Sequence, residues 1–289
     1  VASTIAVFLI PTPAIFSNIG TSTLGSIDFD AIRHPNDGLA ENCVVSLSVT
    51  KLKPECVSGK NPTLAIWGDS YAMHLVPGIA KRADIIQLTK SICGPFLDLA
   101  PIYARYTKDW AQKCQQHNQQ AFNIIIESKS ITHVILSSSF TQYFKGSDGH
   151  FLIKDDMVKK NSATAIEYLA LTIDKLNNAG KKVILISPTP RTGHNIGDCN
   201  ERKYKGLVVL RDTCDFSVAK YQAYDTEIIQ SLLKLEQRTD VSIVWLHDLL
   251  CNEINCKTKI DNTYIYIDSG HLTISGSEKI LDNFDWERQ

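Results

Sequence analysis

The chain lacks an excess of charge of either sign: 30 lysines and arginines meet 31 aspartates and glutamates over 289 residues, a formal net charge of −1. That balance excludes the basic footprint by which proteins hold nucleic acid through its phosphates. No apolar run approaches the roughly 20 residues that a membrane-spanning helix needs. Internal repeats and low-complexity segments are missing as well. There is no Gly-x-Ser-x-Gly elbow, no P-loop, no Gly-x-Gly-x-x-Gly turn and no His-Glu-x-x-His pair, and the histidines show no metal-ligand spacing. These absences set aside α/β-hydrolase, nucleotide-binding and zinc-protease chemistry, and no metal is expected.

What is present is ordinary globular material, 44% hydrophobic and 21% charged, enough to bury a large core. Eight cysteines lie at 43, 56, 93, 114, 199, 214, 251 and 256, without the tight pairs of zinc ribbons. They could be buried thiols or four bridges. Nearest neighbours are separated by 13, 21, 15 and 5 positions, so pairing each cysteine with the next gives four local staples, one economical choice among about 105 connectivities. Four staples would imply an oxidising compartment.

Residues Val1 to Phe16 contain 11 apolar side chains, broken by Pro11 and Pro13. The run is too short to span a bilayer alone and lacks the basic start of a signal peptide. It reads as the tail of a membrane helix or an apolar arm, and we expect it to tether the rest of the chain to a membrane surface. An irregular stretch with Pro35, Gly38, Pro54, Gly59 and Pro62 comes next. Residues 1–62 are therefore expected to form a linker and stapled extension, and residues 63–289 the main domain.

From Thr63 the rhythm changes. Short apolar runs at 63–67, 85–88, 133–136, 182–186 and 242–246 read as buried strands. Helical patterns near 72–83, 103–128, 160–179 and 218–237 separate them. Such alternation predicts parallel strands with crossover helices in a three-layer α/β sandwich, with ligands outside the carboxyl ends of the strands.

Two segments carry chemistry. The first strand runs into Trp67-Gly68-Asp69-Ser70 at the start of a helix, where the local field favours developing negative charge and a serine could act as nucleophile; equally, Asp69 or Ser70 could simply cap that helix. Near the other end, Asp268-Ser269-Gly270-His271-Leu272 offers a loop histidine as general base and an aspartate to fix its tautomer. His74, one turn after Ser70, is expected to be a packed structural residue.

Together, Gly68-Asp69-Ser70 and Asp268-x-x-His271 resemble the SGNH (GDSL-type) hydrolase superfamily. The longer stretches Trp67-Gly68-Asp69-Ser70-Tyr71-Ala72-x-His74-Leu75 and Cys251-x4-Cys256 ahead of Tyr266-x-Asp268-Ser269-Gly270-His271-Leu272 are similar to the periplasmic SGNH domains fused to acyltransferase-3 membrane domains, as in bacterial O-antigen acetyltransferases. The resemblance implies a flavodoxin-like sandwich, Ser70 as nucleophile, His271 as base and Asp268 as its orienting carboxylate. It implies oxyanion donors at Ser70 and at Gly94, after the second strand. The third motif departs from the family: where Gly-x-Asn-Asp is usual, this chain has Ser137-Ser138-Ser139-Phe140-Thr141-Gln142. Ser139 or Gln142 is left to replace the asparagine, whose loss elsewhere costs about 10²- to 10³-fold in rate. Arg191, in Pro188-Thr189-Pro190-Arg191, borders the site as either a substrate contact or a solvated loop residue.

The activity so implied is O-acetyl transfer through a serine acyl-enzyme to a sugar hydroxyl of a surface polysaccharide, namely lipopolysaccharide O-antigen. The alternatives are a carbohydrate acetylesterase and a non-catalytic glycan-binding module. No cofactor would bind directly. Acetyl-CoA would be the ultimate donor, through an acyltransferase-3 membrane domain of the same polypeptide, and the domain would be a periplasmic monomer tethered to the inner membrane.

Overall fold

Each of the five apolar runs becomes a strand of one parallel sheet: the first four are buried almost throughout, and the fifth is a half-exposed edge. The computed structural model describes residues 27–43, 52–207 and 213–285; the apolar arm of residues 1–16 lies outside them. The strands, in chain order, are β1 (Leu64–Gly68), β2 (Ile85–Thr89), β3 (Leu99–Ile102), β4 (His133–Ser137), β5 (His150–Ile153), β6 (Asp156–Lys159), β7 (Lys182–Ile186), β8 (Phe216–Ser217), β9 (Ser242–Val244), β10 (Asn255–Cys256), β11 (Lys259–Ile260) and β12 (Thr263–Tyr264). The main sheet has the order β2-β1-β4-β7-β9 and every pair in it is parallel. This is the flavodoxin-like order, which reverses direction beside β1.

Alternation along the strands divides the core in two. Ala65, Trp67, Val134, Leu136, Val183 and Leu185 face one side, and Leu64, Ile66, Ile135, Ile184 and Ile186 the other. The helices are α1 (Phe29–Ile32), α2 (Ser70–Met73), α3 (Val76–Ala80), α4 (Lys108–Glu127), α5 (Thr141–Phe144), α6 (Ser162–Asn178), α7 (Ile196–Tyr204), α8 (Val218–Glu236), α9 (Leu246–Leu250) and α10 (Ile274–Ile280). Residues of α4, α5, α6 and α8 fill the first layer, while α2, α3, α7, α9 and α10 fill the second. Among the described residues no helix is long and apolar enough to cross a membrane.

Two departures from the sequence reading bear on the site. The helix expected over 72–83 is broken into α2 and α3, with Pro77 at the start of the second, so the field at Ser70 comes from a single turn and not from a long dipole. A three-stranded antiparallel sheet, β3-β5-β6, was not anticipated. Pro101 sits in its edge strand, where a missing N–H costs no ladder bond.

The four disulfides are Cys43–Cys56, Cys93–Cys114, Cys199–Cys214 and Cys251–Cys256, the nearest-neighbour pairing throughout. Cys93–Cys114 ties the loop after β2 to α4. The extension is bound to the domain by polar contacts as well. Asn36 Nδ2 donates to the carbonyls of His74 and Leu272, 3.1 and 3.2 Å away, and Arg33 Nε donates to the Ile267 carbonyl at 3.2 Å. One buried asparagine thus joins the segment after Ser70 to the residue after His271.

Candidate active site

Ser70 leaves the sheet at the carboxyl end of β1, where the strand order reverses. Gly68 makes that exit possible: its φ is +155°, and a Cβ there would lie 1.8 Å from the Ser137 carbonyl oxygen, so only glycine lets β1 approach β4 so closely. Asp69 caps α2 by accepting the Tyr71 N–H at 2.8 Å. The capping role falls to Asp69, and the Ser70 hydroxyl is left to face the loop after the last strands.

That loop brings the second motif to it. The Ser70 hydroxyl lies 2.8 Å from His271 Nε2, and His271 Nδ1 lies 2.8 Å from Asp268 Oδ2. With Nδ1 carrying the proton donated to Asp268, Nε2 is free to accept from Ser70, which is the tautomer a general base needs. Asp268 Oδ1 also accepts the N–H groups of Gly270 and His271, at 2.9 and 2.8 Å. Burial acts to raise the Asp268 pKa, but the imidazole and these two N–H donors outweigh it and hold the carboxyl well below the usual range. Around the loop, Thr189 donates to the Gly270 carbonyl, and Tyr266 donates to the Pro190 carbonyl at 2.9 Å. The loop after β7 therefore buttresses the segment that carries His271.

Asp69 does more than cap a helix. Only 1% exposed, it also accepts from Ser138 Oγ at 2.6 Å, from the Ser139 N–H at 3.2 Å and from Gln142 Nε2 at 3.1 Å. Within the serine stretch 137–139, Ser138 and Ser139 are thus satisfied by the aspartate beside Ser70. This commitment bears on the expected oxyanion donors. The Ser139 N–H points at Asp69 and its hydroxyl lies 2.8 Å from Gln142 Oε1. The Gln142 amide spends its hydrogens on Asp69 and on the Ile92 carbonyl. Gly94 is buried, and its N–H donates to the Tyr143 hydroxyl at 2.8 Å. Of the expected donors, only the Ser70 N–H keeps no acceptor among the described residues. Ile92, and not Gly94, lines the cavity beside Ser70; its φ of +67° is unusual for a β-branched side chain.

Arg191 is not a solvated loop residue. It is 6% exposed, with Nε 3.0 Å from Asp225 Oδ2, Nη1 2.8 Å from the Tyr71 hydroxyl and Nη2 2.9 Å from both the Ser139 carbonyl and Thr141 Oγ1. Of its five N–H donors one remains. It acts as a strut, bracing Tyr71, whose ring centre lies 4.9 Å from that of His271 with the planes tilted by 48°, against the segment 139–141. No sequence signal points to this role, since Asp225 lies on α8 at a kink that no proline or glycine marks.

His74 is packed, as expected: it is 1% exposed and its Nδ1 accepts the Leu272 N–H at 3.2 Å. The proton must then sit on Nε2, which has no hydrogen-bond partner. Burial first, and then the neighbouring His271, push its pKa well below 6.5. Below about pH 6.5 the unfolded chain protonates this ring and the folded chain does not, so stability present above that pH is lost at about 1.4 kcal/mol per unit as pH falls. Urea unfolding at pH 7.5 and 5.5 is expected to show wild type losing about 1.4 kcal/mol more than His74→Gln across that range. An equal loss in both proteins would mean that His74 titrates normally.

Residues 41–285 match the profile of a family described as "SGNH domain (fused to AT3 domains)". The chain belongs to this family. Among solved structures it is similar to the periplasmic domain of the lipopolysaccharide acetyltransferase of Salmonella ser. Paratyphi A, at 21% identity and a TM-score of 0.57, over 78% of this chain and 83% of that one. That likeness is one of fold. No curated protein matches the sequence.

Proposed function

We propose that this SGNH domain forms an acetyl-enzyme on Ser70 and passes the acetyl group to a hydroxyl of a surface polysaccharide. The observation that carries the reading is the unbroken relay from Ser70 Oγ through His271 to Asp268, with 2.8 Å at each step. His271 takes the serine proton as Ser70 Oγ attacks the acetyl carbonyl, then returns it to the departing group. In the second half His271 takes a proton from the sugar hydroxyl, whose oxygen attacks the acetyl carbon, and Ser70 leaves reprotonated. Asp268 stays ionised throughout and stabilises the imidazolium between them.

The family description, with its fusion to AT3 domains, supports a membrane acyltransferase as the source of the acetyl group. The name of the Salmonella neighbour supports a lipopolysaccharide acceptor, O-antigen being the finer reading. Four disulfides suit the periplasm. In this scheme acetyl-CoA is the ultimate donor and meets the membrane domain, not this one.

The committed N–H groups of Gly94 and Ser139 favour a second reading, a module that holds glycan without turnover. One experiment separates the two. The chain alone is mixed with acetyl-CoA and acceptor glycan, and separately with p-nitrophenyl acetate. Relay predicts no transfer from acetyl-CoA and slow, Ser70-dependent release of p-nitrophenol. Efficient transfer from acetyl-CoA without any membrane component sinks the relay, and silence toward the activated ester leaves the glycan-holding module.

A further inference from the structure

Ser70 and His271 line a cavity of about 420 Å³ whose wall also includes Lys145 and Lys160. That volume is within the usual size of a small-molecule site. Lys160 is only 8% exposed, yet its Nζ is satisfied by a neutral group, the Lys145 carbonyl at 2.7 Å. Lys145 is half-buried. Its Nζ donates to the Tyr224 carbonyl at 2.6 Å and lies 3.3 Å from the centre of the Tyr224 ring. Among the described residues neither ammonium has a carboxylate within ion-pair distance, 4.0 Å.

Such an arrangement is costly for a domain that needs these lysines only for folding. A buried cation is ordinarily paired, as Arg191 in the same cavity wall is with Asp225. Burial is the largest influence on both lysines and lowers both pKa values, offset only in part by Glu227 and Asp148 for Lys160 and by Asp225 and Glu227 for Lys145. The two unpaired acids nearby are exposed: Asp148 at the cavity rim, and Glu227, whose carboxylate already accepts the Gly146 N–H at 2.9 Å. Water screens those rim charges more than it screens Lys160. The interior of the cavity is therefore positive although the chain as a whole is neutral.

We propose that the sugar accepting the acetyl group carries a carboxylate, held in this cavity by Lys145 and Lys160 while a hydroxyl of the same glycan faces His271. The inference rests on the acyl-transfer reading of the site, but the binding it predicts is measured without turnover. An anionic ligand replaces neutral partners with charge-assisted contacts to two partly desolvated ammonium groups. Phosphate would satisfy the same ammonium groups, so the test includes it.

Isothermal titration of the 289-residue chain with trigalacturonate and with the neutral galactose trimer is expected to show the acid binding at least about tenfold tighter, an advantage that shrinks as salt is raised. Lys145→Gln and Lys160→Gln are each expected to remove most of that advantage, and Lys160→Arg, which keeps the charge, to retain it. Equal affinity for the two trimers, no measurable binding of the acid at millimolar concentration, or an acid preference that survives in the Lys145→Gln/Lys160→Gln protein would overturn the proposal. So would displacement of the acid by an equal concentration of inorganic phosphate, since the site would then read charge and not a sugar acid. A chain that releases p-nitrophenol but shows no acid preference sinks this inference alone. One that prefers the acid but never turns over the ester sinks the acyl-enzyme reading instead.

Discussion

Ser70→Ala is expected to lower turnover of p-nitrophenyl acetate by at least about 10³-fold while leaving the thermal midpoint unchanged, because the Ser70 hydroxyl is bonded to His271 and to no other described group. His271→Ala is expected to cost about as much, and the Ser70→Ala/His271→Ala pair no more than either alone, since nucleophile and base act as a unit. Asp268→Asn tests the relay in a different way. An amide nitrogen at the Oδ2 position would donate toward His271 Nδ1, forcing the proton onto Nε2, where it can no longer accept from Ser70. The loss expected from the wrong tautomer is about 10⁴-fold. Substitution should leave Oδ1 to hold the Gly270 and His271 N–H groups, so the loop keeps its shape. A Ser70→Ala chain that turns over ester at the wild-type rate would remove Ser70 from the reaction, and loss of activity accompanied by unfolding would leave the triad assignment without support.

The same atoms explain why part of this site could be read from the sequence and part could not. Gly68-Asp69-Ser70 and Asp268-x-x-His271 are local: each packs its functional groups within three or four residues, and the fold had only to bring two segments together. The parallel sheet was legible for a similar reason. Runs such as Val134 to Leu136 and Val183 to Leu185 are apolar on both faces because both faces are buried. The surroundings of Gly94 were not legible: its expected role came from the resemblance alone, whereas Cys93–Cys114 and the Tyr143 hydroxyl that hold it inside the domain belong to distant segments. Ile92 took its place beside Ser70 in a left-handed conformation that nothing in a β-branched side chain advertises.

Contacts between distant segments were the least legible. Asn36 lies 236 positions from Leu272, and β3 pairs with a strand some fifty residues later through a segment that contains Pro101. No local pattern encodes either. The stapled extension is bonded to the backbone after Ser70 and on both sides of the Asp268–His271 segment, through Asn36 at His74 and Leu272 and through Arg33 at Ile267. The buried charges belong with these contacts. A lone arginine after a strand has every reason to look solvated until the aspartate that neutralises it, 34 positions away, is placed against it.

That pair should give the largest stability effect in the domain. The Arg191 and Asp225 side chains are 7% and 1% exposed, so each charge depends on the other for what water would otherwise supply. Asp225→Asn keeps the shape and removes the charge; it is expected to cost about 3–5 kcal/mol, because a buried guanidinium is left uncompensated and cannot shed its proton. Arg191→Met has a different pH signature. Burial raises the Asp225 pKa even with Arg191 beside it, and without the arginine the carboxyl can escape its penalty by taking a proton. A group whose folded pKa is raised contributes stability at low pH that is lost as pH rises past the unfolded value near 4. Once Asp225 of the wild type has ionised, the deficit of Arg191→Met should therefore widen by about 1.4 kcal/mol per pH unit until the variant's own carboxyl ionises, while that of Asp225→Asn stays flat over the same range. Replacing both, as Arg191→Met/Asp225→Leu, is expected to recover most of the lost stability, since an apolar pair bears no desolvation cost. Ester turnover should not recover with it, because Tyr71 and the Ser139 carbonyl would still lack the guanidinium that braces them beside His271. Urea unfolding of the four proteins between pH 4.5 and 7.5 completes the cycle. An Asp225→Asn cost below about 1 kcal/mol would mean that water reaches the pair and that the strut is not what shapes this wall of the site.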